Sequence, residues 1–470
     1  MDDPPHLVAS LQAGLDDHHN SQVAQQDSPC YWVSDPGTLA SSASVGSVTF
    51  GTGHSLYRTT ILPAMEQAES EVILVTCFWA RSATQEAISD SLRKLAAKAS
   101  RAGRMVKVRI YFSSSSLFQK LLHTRSLDGK DYPPSTWQST FGLPSPDELR
   151  GLDLEVKSIF VLPFSVMHPK FIIIDRSTVL LPSCNVSWED WFEGCMELRG
   201  PIVQQFVRFW QCFWLQDPSG TATHVGTART DQLVPNSANT GSIHALASRH
   251  VNVEAIQSVF LPSPHHWNPQ FRFPWQQGAD PPPTPLNIGL LALFAKAASS
   301  VFIQSPNITA QPVLDALLSA LQRGVNVRLV TSERLMVLEQ LVTAGTTNKR
   351  CMQWLTTKHR ELCGKAKEAL QTDLESGLFD KAVGRLRVEY YKPRDDGQSG
   401  SEPVQSHLKL TVVDDHVTIH GSGNMDRASW YTSQELGVAF VSSALAKAIQ
   451  AARKEAMHSR SEVVYDSRGW

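Results

Sequence analysis

The octapeptide His168-Pro-Lys170-Phe-Ile-Ile-Ile-Asp175 recurs with the same internal spacing, 239 residues on, as His407-Leu-Lys409-Leu-Thr-Val-Val-Asp414. One H-x-K-x-x-x-x-D match arises by chance in roughly a few per cent of chains of this length. Two copies are a different matter, because each is followed, ten residues after its aspartate, by an asparagine in a small-residue turn. These turns are Pro182-Ser183-Cys184-Asn185 and Gly421-Ser422-Gly423-Asn424. A chain so written has to build the same unit twice.

The apolar run inside each copy reads as a strand buried on both faces. Residues two apart on a strand share a face, so His168 and Lys170 address one anion together, as do His407 and Lys409. A phosphate group fits that pairing.

Duplication extends beyond the motifs. Glu71-Val-Ile-Leu-Val-Thr-Cys-Phe-Trp79 is a continuous apolar strand; Ile88, Leu92, Leu95 and Ala99 recur at helical spacing; a further strand spans 105–113. The same order returns over residues 287–332, with the stripe Leu314, Leu317, Leu318 and Leu321. The predicted fold is α/β: two similar lobes, each a mixed, largely buried sheet flanked by helices. The expected divisions are a polar, loosely held lead-in at 1–45, a first lobe at 46–216, a linker with an aromatic and proline-rich loop at 217–285, and a second lobe at 286–470. A helical insertion is expected near 335–380. The aromatic and proline-rich stretch at 262–285 reads either as a cover over a cleft or as a rigid surface linker.

Composition narrows the function classes. With 470 residues and 42% hydrophobic content the chain can bury a large core, and its net charge of −2 gives no global basic field for nucleic acid or anionic membrane. Seven cysteines, odd in number and without ligand spacing, argue against a disulfide framework or structural zinc. The N-terminal stretch lacks the order of a secretory signal, and no run approaches the roughly 18 apolar residues of a transmembrane helix. The expected location is intracellular, cytoplasmic or peripheral on a membrane, and the expected state is a monomer.

Each half-site offers an imidazole, an ammonium and an amide. Two facing lobes supply what one lacks: one histidine attacks phosphorus while the other protonates the departing oxygen and then deprotonates an incoming water or alcohol. The intermediate is a phosphohistidine. Lys170, Lys409, Asn185 and Asn424 are donors for the non-bridging oxygens, the role a metal plays in other phosphoryl-transfer sites, so neither a metal nor another cofactor is expected. An imidazole nucleophile also needs a carboxylate on its other nitrogen. Glu197-Leu198 and Glu435-Leu436 follow the two asparagines at nearly equal spacing, which makes Glu197 and Glu435 the candidate orienters. Asp175 and Asp414, at the far ends of their strands, are assigned structural roles, and Ser183 and Ser422 turn-stabilising ones. Trp188, Trp191, Trp430 and Tyr431 read as core packing or as a substrate-facing wall.

These paired motifs, each with a Ser-x-Asn turn, resemble the phospholipase D superfamily. Residues 421–430, Gly-Ser-Gly-Asn-Met-Asp-Arg-Ala-Ser-Trp, are similar to its cardiolipin synthase and bacterial phospholipase D branches. The resemblance spans about residues 50–445. It implies a phospholipase D-like fold of two pseudo-twofold related α/β lobes with one active site at the lobe interface, and metal-independent phosphodiester chemistry there, with His168 as nucleophile and His407 as general acid and base. One departure is Pro182, which fixes φ and removes a backbone donor where the family carries glycine. The expected substrate is a glycerophospholipid, with peripheral membrane contact and no nucleic acid. A metal-independent nuclease or end-processing enzyme and an inactive lipid-binding scaffold are the alternatives.

Overall fold

The computed structural model describes residue 32 and residues 4–19, 35–116, 128–161, 165–217, 245–265, 280–335, 337–373, 382–394 and 402–467. The first half contains α1 (Pro4–His19), β1 (Ala40–Thr52), β2 (Glu71–Phe78), α2 (Ala83–Arg101), β3 (Val106–Ser114), β4 (Leu152–Ser158), β5 (Phe171–Ile174), β6 (Thr178–Pro182), β7 (Trp191–Arg199) and α3 (Ile202–Trp214). The second contains β8 (Ala247–Ser263), α4 (Pro285–Lys296), β9 (Ser300–Gln304), α5 (Gln311–Gln322), β10 (Asn326–Thr331), α6 (Val337–Ala344), α7 (Asn348–Asp373) and β11 (Leu386–Tyr391). It ends with β12 (Leu410–Val413), β13 (Val417–Gly421), α8 (Arg427–Tyr431), β14 (Glu435–Val441), α9 (Ser443–Ala456) and β15 (Ser461–Asp466).

The pairings link these strands into one sheet, in the order β4-β3-β2-β5-β6-β7-β1-β8-β14-β13-β12-β9-β10-β11-β15. Read from its centre outward, the order is the same in both directions. β1 answers β8, β7 answers β14, and the motif strand β5 answers β12. The molecule is thus a mixed α/β protein with two pseudo-twofold halves whose sheets meet at the antiparallel β1–β8 pair.

Local sequence explains the elements. β2 and β5 are buried along almost their whole length, as continuous apolar runs must be in a sheet covered on both faces. α2 opens on Ser82, whose hydroxyl accepts from Gln85 N–H, and buries Ile88, Leu92, Leu95 and Ala99. The β5–β6 hairpin turns on Asp175-Arg176 with φ of 49° at both, and β12–β13 on Asp414-Asp415 with φ of 53° and 50°. That is the mirror-type two-residue turn that matches strand twist, and aspartate tolerates its positive φ. Each turn is then locked. The Asp175 carboxylate accepts from the N–H groups of Glu69, Ser70 and Glu71 at 2.7–2.9 Å, and Asp414 likewise accepts from Ala298, Ser299 and Ser300. Backbone donors satisfy both carboxylates where β2 and β9 begin, and these bonds hold Asp414's pKa below its usual range despite its burial.

Two segments differ from expectation. Within the lead-in, residues 4–19 form α1, and Leu7 and Leu11 are buried against the second half, with Gly14 closely facing Ile288. Burying each leucine is worth about 2 kcal/mol, enough to dock a helix whose apolar stripe is too short to stand out in sequence. Within the expected linker, residues 247–263 form β8, the strand that joins the two half-sheets. Its first half is largely exposed, so its pattern reads as polar until the pairing is seen. Residues 266–279 of the aromatic and proline-rich stretch lie outside the described residues. Residues 337–344 and 348–373 are helical and follow β10.

Candidate active site

The strands bring both H-x-K pairs to the seam. His168 N–H donates to Gln434 O at 3.0 Å, and His407 N–H donates to Phe192 O at 2.9 Å. Each histidine is therefore tied by its backbone to the residue just before a glutamate of the opposite half. The consequence is a crossed pairing: Glu435 lies 2.8 Å from His168 Nδ1, and Glu193 lies 2.7 Å from His407 Nδ1.

Glu193, not Glu197, faces the second imidazole. Glu197 sits four residues farther along the same strand, about 13 Å away at 3.3 Å per residue, where it pairs with Arg199 at 2.8 Å and accepts from Ser47 at 3.2 Å. The equivalence of Glu193 with Glu435 is set by the serines. Ser183 N–H bonds to Gly194 O and Ser422 N–H to Leu436 O, so the residues that correspond are Gly194 and Leu436. The short helix α8 occupies the second half between Asn424 and Glu435 and has no counterpart after Asn185. That added turn makes the Glu-Leu spacing misleading.

Ser183 and Ser422 buttress the carboxylates. Ser183 Oγ donates to Glu193 Oε2 at 2.5 Å and accepts from Gly194 N–H at 2.9 Å. Ser422 Oγ donates to Glu435 and accepts from Leu436 N–H at 3.1 Å. Glu435 has a further donor, Ser429 Oγ at 2.6 Å, whose oxygen in turn accepts from Asn424 N–H at 3.2 Å. Sequence reasoning missed Glu193, Ser429 as a carboxylate partner, and His420, whose ring nitrogens lie 3.0 Å from Lys409 O and 3.1 Å from Leu181 O. For Glu193 no local signal existed, because the residue that accepts from the motif serine is set by the pairing of strands in the fold.

Lys170 and Lys409 are buried, each donating from Nζ to the carbonyl of its own histidine, at 2.8 and 2.6 Å. Lys409 Nζ also lies 2.8 and 2.9 Å from the two ring nitrogens of His407. Nε2 of His168 has no partner among the described residues, and its side chain keeps 13% exposure against 5% for His407. Asn185 and Asn424 each present a buried amide oxygen without a partner; Asn424 Nδ2 donates one hydrogen to Asp426 at 3.0 Å, which leaves a second.

Burial sets the electrostatics. It pushes the pKa of His168 down, with Glu435 opposing and Lys170 and Lys409 assisting. It carries His407 down to about 3, against Glu193 and with help from Lys409 and Lys170. Lys409 falls to about 7, chiefly by burial and further by Lys170. Glu193, though buried, is held below the usual carboxylate range by His407 and Lys409. Each imidazole thus feels the lysine of the other half, so the four side chains act as one electrostatic unit with room for an anion's charge. Among the described residues, no group of three or more His, Cys, Asp or Glu side chains is placed to hold a metal ion.

The fold is a duplicated α/β unit whose two H-x-K segments meet at one seam. The family described as "Cardiolipin synthase, PLD-like domain" matches residues 290–456. No curated protein matches the chain in sequence. Among solved structures it is similar to phosphatidylserine synthase of Haemophilus influenzae Rd KW20, with a TM-score of 0.52 and 14% identity over 89% of this chain and 87% of that one. Polyphosphate kinase from Porphyromonas gingivalis overlaps at a TM-score of 0.45 and 10% identity, over 89% and 49% of the two chains. Nuc, a phospholipase D family member from Salmonella typhimurium, overlaps at 0.26 and 18%, over 39% and 91%. Residues 290–456 thus match the model of a cardiolipin synthase, PLD-like domain, and the likeness to the phosphatidylserine synthase shows that the two chains share a fold.

Proposed function

We propose that the protein cleaves or exchanges the head group of a glycerophospholipid through a covalent phosphohistidine, with water or an alcohol as acceptor. One observation carries this reading: two imidazoles, each bonded through Nδ1 to a carboxylate of the opposite half, stand with two buried lysines at a single seam. A carboxylate on Nδ1 fixes the tautomer that leaves Nε2 as the reactive nitrogen.

His168 is the nucleophile, because its Nε2 is unengaged and burial keeps it neutral near pH 7, with its lone pair available. Nε2 attacks phosphorus and forms an N–P bond while the P–O bond to the head group breaks. His407, which takes up a proton on Nε2 once the negative charge of the bound phosphodiester offsets the burial and cations that hold it neutral, delivers that proton to the departing oxygen. Lys409, poised near pH 7 and touching His407 Nε2, shares that proton; once an anionic phosphodiester enters, the ammonium turns to its oxygens and the charge lost to burial is restored. In the second displacement His407 takes a proton from water or alcohol, whose oxygen forms the new P–O bond as the N–P bond breaks. Glu435 and Glu193 hold the rings, and Lys170, Lys409, Asn185 and Asn424 bind the non-bridging oxygens.

Trp188, 63% exposed and edge-on to Phe78 at 5.9 Å, lies three residues after Asn185. An aromatic ledge in that place supports a lipid substrate and peripheral contact with a membrane surface. No described helix is long and apolar enough to cross a membrane.

The test is turnover of vesicles of phosphatidylcholine, phosphatidylglycerol or cardiolipin by purified protein. Head-group release or a transfer product from at least one is expected. Inactivity on all three, with cleavage of single-stranded DNA, would replace the lipid assignment by the nuclease one.

A further inference from the structure

The halves differ most after β10, where the chain inserts α6 and α7. Between α7 and the strands β11 and β15 lies a cleft of about 650 Å³, within the roughly 300–1,000 Å³ typical of ligand sites. None of its lining takes part in the chemistry above.

Its charge is unbalanced. Glu333 is already engaged by Lys349 at 2.7 Å and approached by Arg334 at 3.8 Å. That leaves Arg360 and Lys392, both exposed, in a lining whose one other carboxylate is Glu462. The Arg360 guanidinium lies over the ring of Tyr465, 4.9 Å from its centroid, and also hydrogen-bonds that side chain, which steadies the group; its planar fork carries five N–H donors. Val404 and Gln405 belong to the lining of the cleft. Gln405 pairs with Trp191, whose ring is 4.8 Å from that of His407. The lining of this cationic cleft is therefore joined through one strand pair to the candidate active site, on the half that carries the insertion.

We propose that this cleft binds a phosphate group distinct from the one at the two histidines, either a second phosphate on the lipid substrate or that of a soluble phosphate compound. The lipid form of the proposal rests on the phosphodiester reading given above; the binding of phosphate does not. Arg360 and Lys392 supply the charge-assisted donors, and Tyr390 and Tyr465 form apolar walls for the carbon framework between the phosphates.

The test uses the full chain with Arg360→Glu and Lys392→Glu combined, and a milder pair with methionine at both positions in case charge reversal harms folding. In the lipid arm, KM for vesicles of cardiolipin, which carries two phosphates, rises about tenfold or more, while turnover of bis(p-nitrophenyl) phosphate and KM for phosphatidylcholine stay within about twofold. In the soluble arm, inorganic pyrophosphate binding to the His407→Ala protein is followed by calorimetry, and the same pair of substitutions weakens it about tenfold. A weakened pyrophosphate site with an unchanged KM for cardiolipin assigns the cleft to a soluble phosphate compound. Unchanged pyrophosphate binding overturns the proposal, whether or not the protein acts on lipids. So does an equal loss on phosphatidylcholine and cardiolipin, or an oligonucleotide that displaces pyrophosphate from these residues.

Discussion

The half-sites are built from one plan and differ by a few atoms. At His168, Nδ1 meets a glutamate held by two serines, and Nε2 is open. At His407, Nδ1 meets a glutamate held by one serine, and Nε2 is covered by Lys409. The turns differ as well. Gly421 lies so close to β14 that a Cβ there would meet Leu436 O at 2.2 Å, whereas its counterpart Pro182 carries a whole ring opposite Cys195. Yet Ser183 N–H still bonds Gly194 O at 2.8 Å, so the missing donor at 182 does not open the first half-site. Duplication supplies two equivalent imidazoles, and the roles proposed for them rest on these small differences.

The sharpest way to break the comparison is to remove one ring at a time. His168→Ala or His407→Ala is expected to lower kcat by about 10⁴-fold or more. The two proteins should part after brief exposure to phosphorus-labelled substrate: His407→Ala retains label on His168, and His168→Ala retains none. Label on His407 would reverse the roles.

Next in size are the orienting carboxylates. Glu435→Gln and Glu193→Gln should each cost about 10²- to 10⁴-fold in kcat with little change in KM. Glu197→Gln should stay within about twofold. A large loss at Glu197 would refute the crossed pairing.

The turns are compared by urea unfolding. Gly421→Ala should destabilise by about 2 kcal/mol or more, since backbone must move to admit the methyl. Pro182→Gly should cost less than about 1 kcal/mol, mainly through the freer unfolded chain. Ser429→Ala, which removes the extra donor on Glu435, is expected to reduce kcat by about three- to tenfold, and to shift the pH limb belonging to His168 rather than His407.

The smallest signal is a proton. Lys409 has a pKa of about 7 in the folded protein against an ordinary 10.5. The unfolded chain binds more protons between those values, so stability should rise with pH across that window, and Lys409→Met should flatten the rise. An anion at the seam should raise the pKa again, giving uptake of up to about one proton per phosphate bound near pH 8, read by calorimetry in buffers of different ionisation enthalpy. Proton release instead would place the anion elsewhere.

Periodicity made the motif strands legible, because a continuous apolar run between polar turns has few other readings. The structural parts of Asp175 and Asp414 could be placed at strand ends, although only the fold shows that they gather three backbone N–H groups each. β8 was hidden because half of it faces solvent, so its pairing with β1 and β14 leaves little mark on its hydropathy. α1 was hidden because two leucines on a polar background do not announce a docking face.

By itself the sequence determined that a unit is doubled and that each copy sets a histidine and a lysine on one strand face, from which a phosphate site is expected. Those conclusions depend on residue type and on spacing within a strand, both of which are local. Which carboxylate holds which imidazole was decided only by the tertiary structure. The pairing crosses the seam between residues far apart in the chain, and a helix of five residues, α8, shifts the apparent spacing in one half. Glu193 and Glu197 share a strand face and differ only in height along it. No local pattern distinguishes them until the opposite half is docked and the His407 backbone fixes the level at Phe192.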